Sequence, residues 1–203
     1  MFKNIIYPKG KVHQNYINYI GWSFISNTFL SMETAISTHS MLHAVSKSSE
    51  ISSINYIGKD IIGQIGSLIY IVNHSKTVDN KTEKFLFHAN ALQQSSYFLM
   101  SMTPLYSSHF LIIAGTSNIL SNMSFISYGA VNAKYITKLA LDNNIGEIYA
   151  KITVINSLGS SLGLLMGLGL TILIPSHEER LCLIPLLGFL RIYSFNLALK
   201  NIK

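Results

Sequence analysis

A chain of 203 residues is sized for one domain, and with 49% hydrophobic and only 12% charged residues it is too poor in charge for an ordinary soluble globular protein. The formal net charge of +6 does not read as a nucleic-acid surface, because the lysines fall in short groups between apolar stretches rather than along one helix face. A single cysteine, Cys182, excludes an intrachain disulfide and a multi-cysteine zinc site.

Taken from the N-terminus, Met1 to Lys11 has neither an apolar core nor a small-residue cleavage site, so it reads as neither a signal nor a transit peptide. Charge-poor stretches then predict six membrane spans, near residues 20–42, 54–73, 85–103, 109–131, 152–174 and 181–199. The expected fold is all-α, a polytopic transmembrane helical bundle in one domain, 1–203, with both termini on the same side. The competing reading is a soluble helical bundle, since many Ser, Asn, Thr and Gln residues dilute the hydropathy.

The first span carries Glu33, and His39 and His43 near its end at an i, i+4 spacing that suits a metal. No acid or cysteine lies on that face nearby, so the histidines read as an interfacial helix end and no metal site is expected. The second span carries Lys59 and Asp60. An aspartate at bilayer depth costs about 2.5–3.5 kcal/mol, so Asp60 should face protein or water, either as a polar site between helices or as an ion-pair or hydrogen-bond partner. Lys59 is free to snorkel toward a surface.

Between Lys84 and Lys134 lie 49 residues without a formal charge, and Pro104 supplies a break between spans three and four. Span four concentrates Ser117, Asn118, Ser121, Asn122 and Ser124 within little more than two turns, groups suited either to a solute path or to joining helices. Asn143, Asn144, Glu147 and Lys151 form a polar loop before span five, with Glu147 and Lys151 in the favourable i, i+4 order. Span five repeats glycine every four residues at Gly159, Gly163 and Gly167, a stripe on which another helix can pack closely. Span six holds Arg191 at a depth similar to that of Glu33, and isolated ions there are costly, so a Glu33–Arg191 contact between spans one and six is expected.

The loops orient the bundle. With both termini cytoplasmic-side, that face collects Lys3, Lys9, Lys11, Lys76, Lys81, Lys84, Lys134, Lys138, Lys151, Lys200 and Lys203, whereas the other receives Lys47 and Arg180.

Several short patterns resemble the root UVB sensitive family, also described as a vitamin B6 photoprotection and homeostasis domain. Tyr7-Pro8, Gly10 and Val12 lead into Tyr16, Tyr19 and Trp22; Lys59-Asp60 is followed by Gly63 and Gly66; Asp79 precedes Lys84-Phe85. Asn143 to Ile148, then Ala150-Lys151 and Gly163, is the most specific stretch, and Tyr193, Asn196, Ala198 and Lys200 close the pattern. The chain departs from it at Asn90, where an acid is expected, at Asn132 for a common arginine, at Val154-Ile155 for a serine–glutamine pair, and at Arg191 for histidine. It therefore resembles a divergent, minimal member.

That resemblance implies a link to vitamin B6 homeostasis and the ultraviolet-B response. The residues themselves add an integral membrane protein, of unspecified compartment, with small-residue seams; the resemblance, to a family whose members act together, implies a partner-binding subunit in a homo- or hetero-oligomer, and a membrane adaptor would use the glycine seam for that contact. The alternative is a transporter or channel for a small polar solute, using Asp60, Asn118 and their neighbours. No nucleophile with its base, paired acids or phosphate-cradling loop is present, so neither an enzyme nor a resident cofactor is expected.

Overall fold

Each charge-poor stretch falls, to within one residue at its ends, on one helix of the computed structural model, which describes residues 6–46, 52–74, 82–200 and 202. The helices are α1 (Tyr16–Ser46), α2 (Ser52–His74), α3 (Thr82–Met102), α4 (Phe110–Leu139), α5 (Ile145–Leu173) and α6 (His177–Leu199). Lys3, Lys47, Lys76, Asp79, Lys81 and Lys203 lie outside the described residues. Among the described residues no strand forms; Val12 and Ala140 make an isolated bridge.

Local chemistry explains the boundaries. Pro104 follows the end of α3, and a single 3-10 turn, Ser107–His109, leads into α4. Asn143 takes a left-handed φ of 51°, a conformation asparagine tolerates, and reverses the chain between α4 and α5. Ser176 caps α6, its side chain accepting from the Glu179 amide at 3.4 Å, with Glu178 and Glu179 in the favourable first turn. The expected polar loop is shorter than its sequence suggests: α5 starts at Ile145, so Glu147 and Lys151 are helical. Glu147 there accepts the Lys9 amide with both oxygens, at 3.0 and 3.1 Å, and tethers the N-terminal segment.

Two apolar clusters mark the ends of the bundle. One gathers Tyr16 and Tyr19 of α1, Phe85 and Leu86 of α3, Tyr135 and Leu139 of α4, Ile148 and Ile152 of α5, and Leu199 at the end of α6. The other joins Met41 and Ala44 of α1 to Phe110 and Ala114 of α4, with Tyr56 and Met100 against them. Helix starts and helix ends alternate between the clusters, so the bundle runs up and down and α1 begins where α6 finishes. Lys9, Lys11, Lys84, Lys134, Lys138, Lys151 and Lys200 all belong to that first end, while Arg180 opens α6 at the other. At the lysine-rich end Tyr16 donates to the Ile6 carbonyl at 2.9 Å, and burial, reinforced by Glu147, pushes its phenol up to about 12.

Three helical stretches, residues 107–139, 145–173 and 177–199, are long and apolar enough to cross a membrane. The helix α1 falls outside that set for a visible reason: its polar groups, among them Ser23, Ser26, Ser31, Glu33, Ser37 and Ser40, are turned into the protein. By contrast, α5 is apolar outward. Leu158, Leu165, Ile172 and Leu173 are exposed, the last two at 78%, whereas Gly159, Gly163 and Gly167 are buried along its middle. Small residues inside and leucines outside is the arrangement that lipid, not water, favours.

The glycine stripe packs within the chain. A Cβ on Gly159 would lie 2.7 Å from the Phe24 carbonyl oxygen, one on Gly167 would lie 2.9 Å from that of Met32, and one on Gly163 would overlap the Thr28 carbonyl. Backbone meets backbone along α1, so the seam expected to receive a partner helix is filled by the protein's own first helix. Gly63 and Gly66 of α2 likewise admit a close neighbour, there the side chains of Asn118 and Ile119 of α4.

Candidate functional site

Glu33 sits in mid-α1 with 0% of its side chain exposed, and the expected partner reaches it: Arg191 Nε of α6 lies 3.1 Å from Glu33 Oε2. The contact is an ion pair at salt-bridge distance rather than a well-formed hydrogen bond. Arg191 spends its other contacts elsewhere. Its Nη1 donates to Tyr128 Oη of α4 at 3.0 Å, Tyr128 donates to Asn90 Oδ1 of α3, and Ser26 donates to the Arg191 carbonyl at 3.1 Å. Arg191 Nη2 remains buried without a hydrogen-bond partner. Nearby, Thr34 Oγ1 and Tyr97 Oη are 2.8 Å apart, and Gln94 donates to the Ile184 carbonyl at 2.8 Å.

Beside this network lies a cavity of about 400 Å³. Its polar lining includes Tyr19, Ser23, Asn27, Gln93, Tyr128, Asn132, Asn156 and Arg191; Phe125, Tyr149 and Phe195 supply aromatic surface. Tyr19 donates to Asn132 Oδ1 at 2.8 Å and Ser23 to Asn156 Oδ1 at 2.9 Å, which fixes those amide dipoles. Arg191 is the one charged residue among the described lining residues. The cavity lies between α4 and α5, which meet tightly through Val131, Tyr135, Ile148 and Ile152 only at the lysine-rich end.

Sequence reasoning singles out Glu33, Arg191 and, among the other polar groups of the cavity, Ser121, but not most of the groups around them. Tyr128, Tyr97 and Gln93 went unnoticed, and Asn90 and Asn132 stood out solely as departures from a family pattern. The available signal was the density of uncharged hydrogen-bonding residues on α3 and α4, which has no direction until the helices are placed.

A second polar concavity, of about 360 Å³, separates α2 from α4 and is lined by Asp60, Gln64, Ser67, Asn118 and Asn122. Asn118 Nδ2 donates to Asp60 Oδ1 at 2.9 Å and to the Lys59 carbonyl at 3.1 Å. Lys59 Nζ also reaches Asp60 Oδ1 at 2.6 Å, with its own side chain 6% exposed against 49% for Asp60, and it lies over the Tyr56 ring. Lys59 is thus buried and paired rather than extended to a surface.

The polar residues of α4 divide by face. Ser117 and Ser124 donate to the Ser96 and Ala89 carbonyls of α3 and join helices, Asn118 and Asn122 face α2, and Ser121 faces the Arg191 cavity. His39 and His43 meet α6: Arg180 Nη1 is 2.7 Å from His39 Nδ1, and the rings of His43 and His177 are 4.3 Å apart between centroids. Arg180 Nη2 is also 3.0 Å from His177 Nδ1. Among the described residues no group of three His, Cys, Asp or Glu side chains is placed to hold a metal.

Gly188 makes the central packing feasible, because a Cβ there would overlap the Gln94 amide. Gly188→Ala is expected to lower stability by about 1–3 kcal/mol, read as a fall in melting temperature in detergent, since a flexible amide end must move out of a packed site.

Helices with glycine seams turned inward, leucines turned outward and an ion pair beside a polar cavity define a membrane-type helical bundle. Within that class, the family model of the vitamin B6 photo-protection and homoeostasis domain matches residues 1–203, and the chain belongs to this family. It is 29% identical to the protein root UVB sensitive 4 of Arabidopsis thaliana over 184 residues, covering 88% of this chain and 35% of that protein. To root UVB sensitive 6 of the same plant it is 24% identical, with 85% and 35% covered, and to the chloroplastic root UVB sensitive 2 also 24%, with 95% and 46% covered. The chain thus spans less than half the length of each of these relatives. No solved structure matches it.

Proposed function

We propose that the chain is an integral membrane protein with six crossings that binds a small polar solute of the vitamin B6 class in the Arg191 cavity and passes it through the bilayer. The observation that carries this reading is a cavity of about 400 Å³ lined by amides, hydroxyls, aromatic rings and one guanidinium. Its size and mixture of apolar walls with a few fixed polar groups suit a small organic ligand. Flat aromatic side chains match a pyridine ring, and the hydroxyl and amide groups match its ring substituents. The vitamin B6 assignment comes from the family description, which concerns homoeostasis of that vitamin.

No lysine is among the described lining residues, so an aldehyde vitamer has no amine there with which to form an imine. Reversible binding suits a carrier better than an enzyme. The three more polar helices cross the bilayer by presenting their hydrogen-bonding faces to one another, as α1 does.

Uptake of radiolabelled pyridoxal by proteoliposomes tests the proposal. Wild-type protein is expected to exceed empty vesicles, and Tyr128→Phe, which removes the hydroxyl between Arg191 and Asn90, is expected to reduce uptake about tenfold, because a hydrogen bond to a charged group contributes about 1.5–3 kcal/mol. Uptake no faster than by empty vesicles would refute it.

A second reading, partner binding, rests on α2. Its outer row of Ile54, Ile57, Ile61, Ile65, Leu68 and Val72 is exposed on the side away from α4. If that row binds another membrane protein, Ile61→Trp will break co-purification of the complex while leaving the bundle folded.

A further inference from the structure

We infer that the Arg191 cavity selects the neutral or zwitterionic, unphosphorylated form of its solute and rejects the phosphate ester. This deepens the vitamin B6 reading above and rests on it for the identity of the cargo, but the charge rule follows from the site alone.

A lone guanidinium in a buried cavity ordinarily marks an anion site. Here it is compensated. Glu33 is fully buried 3.1 Å behind Arg191 Nε, and no other charged side chain is among the described lining residues. A phosphate dianion entering the cavity meets a guanidinium already engaged by the Glu33 carboxyl group 3.1 Å from its Nε, so part of the attraction it would otherwise feel is already satisfied within the protein. Its desolvation remains in full, and stripping water from an ion is among the largest costs in a low-dielectric site.

A neutral or zwitterionic ring avoids that cost and still finds donors. Arg191 Nη2 is buried without a hydrogen-bond partner, and Asn156 and Asn132 are held in place by Ser23 and Tyr19. The unpartnered nitrogen suits a neutral acceptor or the phenolate of a zwitterion, whose opposite charge travels on the same ring. Glu33 is therefore a specificity-determining residue that acts through Arg191 without touching the solute.

The test is equilibrium binding to the full chain in lipid nanodiscs at neutral pH, with two matched pairs of probes: pyridoxal against pyridoxal phosphate, and 3-hydroxypyridine against pyridin-3-yl phosphate. Wild-type protein is expected to favour the unphosphorylated member of each pair by at least about tenfold. Glu33→Gln leaves the Arg191 charge uncompensated and is expected to shift both ratios toward the phosphate by about tenfold or more. Equal binding of pyridoxal and its phosphate by wild-type protein overturns the charge rule while leaving the vitamer reading intact. Preference for 3-hydroxypyridine with no binding of either vitamer does the reverse. Binding of none of the four probes overturns both. Should Glu33→Gln not yield folded protein, the wild-type ratios decide the matter by themselves.

Discussion

Gly163→Leu will prevent the bundle from assembling, whereas Gly169→Leu, six residues further along the same helix, will be tolerated. At Gly163 a single added carbon already overlaps the Thr28 carbonyl and approaches Ser31 Cβ to 2.9 Å; at Gly169 it meets nothing within 4 Å. Backbone does not yield as a side-chain end does, so α1 and α5 must separate along the seam. The contacts then lost include those at Gly159 and Gly167, and the expected cost exceeds about 4 kcal/mol, beyond the range of most single substitutions. Helix propensity works in the other direction, since leucine favours a helix over glycine by almost 1 kcal/mol or so. Fluorescence-detected size exclusion and thermal melting in mild detergent separate the outcomes: a monodisperse, normally melting Gly163→Leu protein would show that the seam is not an internal contact.

Removing either member of the buried ion pair will destabilise the protein by about 3–5 kcal/mol, because the survivor is left charged and uncompensated. Glu33→Met leaves Arg191 facing a cavity of neutral groups, and Arg191→Met leaves Glu33 with 0% exposure and no cation. The double variant Glu33→Met with Arg191→Met is expected to recover most of the loss, since two apolar side chains of similar volume remove both desolvation penalties together. Melting temperatures of the four proteins in one detergent form a double-mutant cycle. Additive losses, with the double variant worse than either single, would mean that the two groups are not coupled.

Recovery of stability in that double variant need not restore solute binding. Arg191 also donates to Tyr128 and lines the cavity, and methionine performs neither task. Stability and uptake thus separate the structural part of the pair from the part proposed for it in recognition. A buried ion pair is weak support for stability, so the role proposed for this pair in recognition is tested by uptake rather than by melting.

Legibility differed between the levels of structure. The glycine stripe was readable as a packing face because a repeat of four needs nothing beyond helical geometry. Its partner was not readable, since Phe24, Thr28 and Met32 have no distinguishing mark in α1 and the contact is made by their carbonyls. The ion pair was readable because just two opposite charges stand deep in spans one and six, which left few ways to neutralise them. Lys59 misled: its chemistry permits snorkelling, but Asp60 and the Tyr56 ring hold it inside. The start of α5 was placed late because the charges at Glu147 and Lys151 mimic a loop, while the backbone there already has helical partners.

Six helices, their order, the side on which the lysines gather and the pairing of Glu33 with Arg191 follow from the chain itself, because length, charge spacing and the cost of an isolated buried ion act within or between helices whatever their arrangement. Which faces meet was a tertiary decision. Ser, Asn, Gln and Tyr side chains hydrogen-bond equally well to many partners, so the cavity beside Arg191, the separate groove at Asp60 and the filling of the glycine seam by α1 exist only once six helices have packed together.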